Sequence, residues 1–108
     1  MLAKVFSAFL FLTAVTADLH ANCACDNGQS YNWRITVKAC EDYNASAYEW
    51  GGATYDAPSG RCVQADPEAR IAGKEWEAAC RKIAEGGFDC ADGVGTCYAE
   101  RKDVRGRC

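Results

Sequence analysis

Histidine is scarce in this chain: His20 is the only one among 108 residues. A Ser-His-Asp triad, a histidine-dependent phospholipase and a small ribonuclease with a His/Glu/Arg set each need a histidine inside the folded domain. His20 instead precedes every cysteine of the chain. Most candidate carboxylates fall on one predicted helix, largely on its solvent side (Glu68, Glu75, Glu77 and Glu85). We therefore expect a protein that is not an enzyme, with no catalytic residue, no metal site and no cofactor.

Basic residues are outnumbered as well. Lys and Arg number 12 against 15 Asp and Glu, a net charge of −3 that becomes −4 once Lys4 is removed with the tag described below. A nucleic-acid partner is not expected, because such a protein needs excess positive charge to neutralise phosphates. Residues 99–108 are the exception, with four basic residues: Arg101, Lys102, Arg105 and Arg107. This pattern indicates a solvated tail, with contact to an anionic surface or a glycan as the alternative.

Long apolar runs are absent except for one, which spans residues 5–12. It is too short to cross a bilayer, so no transmembrane segment is expected. The run follows the positive charge of Lys4 and precedes the small residues Val15-Thr16-Ala17. This order predicts a secretory signal peptide over residues 1–17. A cut after Ala21 is the alternative, disfavoured because Leu19 is bulky for the third position before a cleavage site.

Cysteine, in contrast, is abundant outside the predicted signal peptide. Residues 18–108 form one small predicted domain with eight cysteines: Cys23, Cys25, Cys40, Cys62, Cys80, Cys90, Cys97 and Cys108. An even set in an exported chain predicts disulfides, and these outweigh metal or redox chemistry at Cys23-Ala24-Cys25. So short a chain buries only about 60% of its unfolded surface, so bridges of roughly 2–4 kcal/mol each help decide whether it folds. The 105 possible pairings stay open, and the lack of adjacent cysteines disfavours a hydrophobin.

Two patterns compete over residues 31–39. Apolar and polar residues alternate from Tyr31 to Ala39, which is typical of a strand. A helical spacing extends further, and Asn32 is a plausible N-cap for it (Trp33, Thr36, Val37, Cys40, Tyr43, Asn44 and Ala47). The longer pattern slightly favours a helix.

The remaining elements follow from turn and cap residues. A strand over Asn22 to Asp26 ends at a turn, and Ala57-Pro58-Ser59-Gly60 joins a hairpin of residues 53–56 and 61–64. Asp66-Pro67-Glu68 predicts the start of a second helix, which Gly86-Gly87 ends. Residues 88–91 predict the last strand, with a further one around residues 96–99. The order β-α-β-β-α-β predicts an α+β fold of split βαβ type, a four-stranded antiparallel sheet with two helices on one face.

Two further features concern the surface. Asn44-Ala45-Ser46 is a glycosylation acceptor sequence in a chain expected to be secreted. Tyr48 and Trp50 precede a flexible glycine pair, and Tyr55 follows it. These rings either cap the core or form an exposed recognition loop, since tyrosine and tryptophan are enriched at contact sites.

Several short motifs resemble the killer-toxin-like small secreted proteins of fungi, whose type member is the alpha subunit of a smut-fungus viral killer toxin. The motifs are Cys23-Ala24-Cys25, Thr36 four residues before Cys40, Thr54-Tyr55-Asp56, Ser59-Gly60-Arg61-Cys62 and Trp76-Glu77-Ala78-Ala79-Cys80. The resemblance covers residues 22–90. It implies a helix over residues 33–46 and a disulfide-stapled four-stranded α/β sandwich with both helices on one face.

The resemblance also bears on the disulfides and on function. The toxin subunit has its extra cysteines before the Cys-x-Cys, whereas here they are Cys97 and Cys108, for which we predict a bridge to each other. Proteins with this pattern include candidate virulence effectors of plant-associated fungi. We therefore expect a secreted, extracellular, monomeric protein that binds an unidentified host or competitor target through the Tyr48–Tyr55 loop and the basic tail. The alternatives are an antimicrobial or antifungal protein and a small secreted hydrolase with an unrecognised active site.

Overall fold

The computed structural model describes residues 18–108, so the predicted signal peptide lies outside the described part of the chain. That part is an α+β fold with two α-helices, antiparallel strands and four disulfides. The helices are α1 Trp33–Ala45 and α2 Gly73–Gly86, and a 3₁₀ turn spans Arg101–Asp103. The strands are β1 Leu19–His20, β2 Asn22–Asn27, β3 Ser30–Tyr31, β4 Ala53–Asp56, β5 Arg61–Gln64, β6 Ile71–Ala72, β7 Phe88–Asp89, β8 Thr96–Cys97 and β9 Val104–Arg107.

Strand β2 organises the largest sheet. β5 pairs with its first two residues, Asn22 and Cys23, while β9 pairs with residues 24–27 and β3 with the last two. β4 pairs with β5 from Ala53↔Gln64 to Asp56↔Arg61, which is the hairpin predicted from its Pro-Gly turn. All these pairings are antiparallel. The predicted combination of an antiparallel sheet with two helices is therefore confirmed.

Helix α1 forms where the longer sequence pattern indicated. The side-chain oxygen of Asn32 accepts a hydrogen bond from the Ile35 backbone N–H at 3.0 Å, so the predicted N-cap is confirmed. The buried face is Ile35, Thr36, Ala39, Cys40 and Tyr43. Trp33, the first member of the predicted apolar stripe, is 50% exposed. The helix therefore packs through its middle and leaves its first ring at the surface.

Helix α2 begins at Gly73, well after the start predicted at Asp66-Pro67-Glu68. The Asp66 carboxylate does cap N–H groups, those of Glu68 and Ala69, but only within a turn. The chain then extends, because Ile71 and Ala72 are buried as strand β6 and pair with β1. Pairing with a segment more than fifty residues away overrides the local start signal. The predicted end is confirmed, since Gly87 adopts a φ of 113° directly after the helix.

The C-terminal segment corrects two predictions. Residues 88–91, predicted as the last strand, do not join the main sheet: β7 pairs with β8 in a separate hairpin, and β9 adds to β2 instead. The predicted Cys97–Cys108 bridge is wrong for the same reason. The ladder that pairs Ala24 with Arg107 brings Cys108 opposite Cys23, and these two are bonded. Cys97 is left in the β7–β8 hairpin, where it bonds Cys90.

The other two disulfides join helices to the sheet. Cys25 of β2 bonds Cys80 of α2, and Cys40 of α1 bonds Cys62 of β5. Cys23 and Cys25 thus have different partners, and the structural disulfides predicted for this pair are confirmed. Only Cys25 reaches a helix.

The core lies where the two helices meet each other and β2. Trp76 is fully buried, and its indole Nε1–H donates to the Ala24 carbonyl at 2.8 Å. Tyr43 accepts a hydrogen bond from the Ala72 N–H at 2.9 Å, and burial raises the pKa of its phenol. Within residues 18–108 every buried side-chain nitrogen or oxygen has a hydrogen-bond partner. Neither described helix is long and apolar enough to cross a membrane.

Candidate functional site

The predicted recognition loop after α1 is tied to the core by its first aromatic rings. The centroid of the Tyr48 ring lies 4.9 Å from that of buried Tyr43 and 5.8 Å from that of Trp50. The Trp50 carbonyl accepts a hydrogen bond from the Arg70 N–H at 2.9 Å. Both rings are partly buried. Tyr48 therefore caps the core, as the first alternative predicts, and Trp50 packs against Tyr48.

Tyr55, the third predicted aromatic contact, is also partly buried and packs on the core. Its neighbour Tyr31 is 48% exposed, and the Tyr31 hydroxyl donates to the carbonyl of Gly60 in the β4–β5 turn. Burial of that hydroxyl, and then a hydrogen bond with Tyr55, raise the pKa of Tyr31 to about 12. These phenols therefore fasten β3 to the hairpin.

The predicted basic tail is different, because it borders a groove. The groove has a volume of about 650 Å³ and runs between α2 and residues 98–102. Its lining includes Arg81 and Glu85 from the helix and Tyr98, Arg101 and Lys102 from the tail. The Ala99 N–H donates to the Ala84 carbonyl at 2.9 Å, which holds the two walls together. An exposed ring and charged groups of both signs therefore line one concave site.

A smaller cleft lies on the other side of the 3₁₀ turn. It measures about 240 Å³ and is lined by Lys102, Arg105 and Arg107 with the β2–β3 turn. Arg105 and Arg107 share a face of β9, because side chains two apart on a strand point the same way. Lys102 borders both concavities. We call Tyr98, Arg101, Lys102, Arg105 and Arg107 together the tail surface.

Carboxylates neutralise much of the tail surface. Arg101 lies 3.4 Å from Glu85, and Lys102 lies 3.4 Å from Asp103. The Arg107 Nε–H donates to Asp26 at 2.8 Å. Within residues 18–108, Arg105 is the tail cation that makes no ion pair. The tail surface therefore has little unpaired positive charge with which to attract a uniformly anionic surface. A ligand with both polar and ring-stacking groups suits it better.

The sequence prediction missed the most exposed large apolar side chains. Tyr98 is 66% exposed and Val94 is 72% exposed, both in or beside the β7–β8 hairpin. Trp33 is half exposed, with the Arg34 guanidinium 4.9 Å from its ring centroid. Tyr98 stands next to the basic tail in the sequence, so that adjacency was a usable signal. No sequence signal distinguished Trp33 from the buried members of its stripe.

Asn44, the predicted glycosylation site, lies in the last turn of α1. The residue is exposed, but its side-chain oxygen accepts a hydrogen bond from the Ala53 N–H at 3.1 Å. The Asn44 side chain therefore also fixes the start of β4.

His20 is less isolated than its place in the sequence indicated. It pairs with Ile71 in the β1–β6 ladder, and its Nε2 lies 3.2 Å from the Asp18 carboxylate. His20 and Asp18 border a cavity of about 500 Å³ that Lys74 and Glu77 also line. The Glu77 carboxylate is already engaged by Arg81 and by the Gly106 N–H. Among residues 18–108, no group of three or more His, Cys, Asp or Glu residues could hold a metal ion.

Comparison of the chain with protein-family models, with curated proteins and with solved structures found no match.

Proposed function

We propose that this is a secreted, non-enzymatic binding protein that acts outside the cell as a fungal effector or killer-toxin-like factor. The observation that carries the proposal is the pairing of all eight cysteines into four disulfides within one small domain. Such a set of bridges persists in oxidising compartments and is rare in the cytosol. The bridges also hold a small surface rigid, which lowers the entropy cost of binding.

The tail surface is the proposed contact site. It combines an exposed tyrosine with arginines beside a concave groove, and these residue types dominate binding energy in known interfaces. In the other predicted contact region, Tyr48 is assigned to core packing instead, with Trp50 packed against it. The ligand we propose carries both polar and ring-stacking groups, such as a glycan or a protein loop.

We infer that β9, β2, β5 and β4 form the split βαβ sandwich, with both helices on one face of the sheet. The pairing of β2 with both β5 and β9 supports this, as does the contact of each helix with β2. The proposed likeness to fungal killer-toxin-like proteins rests on the same arrangement and on the motif Thr36 to Cys40.

The test is capture of a target by oxidised, immobilised protein from extracellular fluid of plant tissue. The double variant Tyr98→Ala/Lys102→Ala removes the ring and the cation that borders both concavities. Capture should fall at least tenfold, because truncating a hot-spot residue typically costs about 2 kcal/mol. Trp33→Ala is the matched control, an exposed ring in another part of the surface, and it should capture the target as the wild type does.

The outcome separates the rival functions. Equal capture by all three proteins removes the tail surface from the proposal. Inhibition of microbial cultures by the oxidised protein, without a host target, puts the antimicrobial function first. Turnover in nuclease, protease or lipase assays overturns the non-enzymatic proposal, and a hydrolase then takes its place.

A further inference from the structure

A second site is independent of the tail surface. We propose that the exported protein chelates Cu(II) or Ni(II) through Asp18-Leu19-His20. The proposal rests on the predicted cleavage after Ala17, which would give Asp18 a free α-amine and make histidine the third residue. The residues themselves lie in the described part of the chain, at its surface.

Four-nitrogen chelation at a chain terminus requires the histidine to be the third residue. A terminal amine, the next two backbone amide nitrogens and the imidazole Nδ1 of a third-position histidine supply four nitrogens. They close three fused chelate rings around one metal ion in a plane. Square-planar nitrogen coordination suits Cu(II) and Ni(II) among the divalent first-row metals. Because the donors are mainly backbone nitrogens, a metal site of this kind needs no cluster of ligating side chains.

The His20 side chain lies on the same side of β1 as that of Asp18. Its imidazole Nε2 lies 3.2 Å from the carboxylate of Asp18, so the ring already folds towards the residue that would carry the free amine. The His20 side chain is 29% exposed, and that of Asp18 is 82% exposed. The adjoining cavity of about 500 Å³ leaves room for the imidazole to turn and for a metal to enter.

Chelation competes with the β1–β6 ladder. That ladder pairs Leu19 with Ala72 and His20 with Ile71, and the Gly73 N–H donates to the Asp18 carbonyl at 2.8 Å. A metal that takes the amide nitrogens of β1 must release this strand. A two-residue ladder near a chain terminus is among the least costly parts of a fold to open. Metal binding and β1 docking are therefore alternative states, and the apparent metal affinity is the intrinsic affinity multiplied by the fraction of molecules in which β1 is undocked.

The test titrates CuSO₄ into oxidised protein that begins at Asp18. We expect a visible absorption band of a planar four-nitrogen Cu(II) site that saturates at one ion per chain. The band should disappear on acidification, because the amine, amides and imidazole must lose protons to bind. Hydrogen exchange of the Ile71 amide should accelerate when copper is added, since its β1 partner has left.

Two one-residue changes control the experiment. A form that retains Ala17 keeps every side chain but moves the histidine to the fourth position, and His20→Ala removes the imidazole. Both should lose the band and the copper-induced exchange at Ile71.

Persistence of the band in either control form overturns the proposal. Sequencing of the exported protein that finds a first residue other than Asp18 also overturns it. Target capture at the tail surface uses none of these residues, so it fails or succeeds separately.

Discussion

Thr36 shows how one side chain links two elements of this fold. Thr36 is the one polar residue among residues 18–108 that is buried, and it has no exposed surface. Its hydroxyl donates to the Asn32 carbonyl at 2.7 Å and accepts from the Cys25 N–H at 3.0 Å. The first turn of α1 is thereby joined to β2. This contact gives a physical role to the Thr36-to-Cys40 spacing on which the sequence resemblance partly rests.

Replacing this hydroxyl should therefore be costly. Thr36→Val keeps the shape but leaves the Cys25 N–H buried without a partner, so the free energy of unfolding should fall by about 1–3 kcal/mol. Thr36→Ser keeps the hydroxyl and loses one methyl group, at a cost of about 1 kcal/mol. Urea unfolding of the oxidised proteins measures both. A valine variant as stable as the wild type would show that the hydrogen bond contributes nothing.

Strand β9 is the element that positions the tail surface. Val104 is fully buried, whereas Arg105 and Arg107 are exposed. The inward residue Gly106 has no room for a side chain: a Cβ there would lie 2.8 Å from Trp76 Cδ1 and 3.1 Å from Glu77 Cα. Close approach of β9 to α2 therefore depends on this glycine.

A methyl group at this position should push β9 away from α2. We expect Gly106→Ala to lower the free energy of unfolding by about 1–3 kcal/mol, as overpacking does, and to weaken target capture. Gly86→Ala is the control, because a Cβ there meets nothing within 4 Å. It should change stability by no more than about 1 kcal/mol. Denaturant midpoints measure the stability of both variants. Equal losses of stability in Gly106→Ala and Gly86→Ala would contradict the packing argument.

At the scale of the whole molecule, the four disulfides constrain loops of very different length. The bonded cysteines are separated by 85, 55, 22 and 7 residues along the sequence. Loop-closure entropy predicts that longer loops gain more stability from a bridge. The Cys25–Cys80 bond, which joins β2 to α2, should therefore matter more than the Cys90–Cys97 bond within one hairpin.

Removing one disulfide at a time, by replacing both of its cysteines, measures this difference. Cys90→Ala/Cys97→Ala should cost about 2 kcal/mol and leave the protein folded, whereas Cys25→Ala/Cys80→Ala should cost about 4 kcal/mol. Unfolding midpoints under oxidising conditions give the comparison. If the two double variants lose the same stability, native-state packing rather than chain entropy sets the contribution of each bridge.

Local signals in the sequence determined several elements of this protein. The Asn32 cap and a helical spacing slightly favoured α1 over a strand, and Pro-Gly turn residues predicted the β4–β5 hairpin. Gly87 marked the end of α2 because only glycine adopts its backbone conformation without strain. Each of these preferences acts over a few residues, so it can be read without knowing the rest of the fold.

Tertiary structure alone decided the late start of α2, the entry of β9 into the sheet and the cysteine pairs. Each depends on segments far apart in the chain: β6 with β1, β9 with β2, and Cys108 with Cys23. It also decided that Tyr48 packs on the core while Tyr98 stays exposed beside the basic residues. Composition determined that the chain would need cross-links, because so small a core buries little surface. Which sulfurs meet depends on strand register, and register is a property of the assembled sheet.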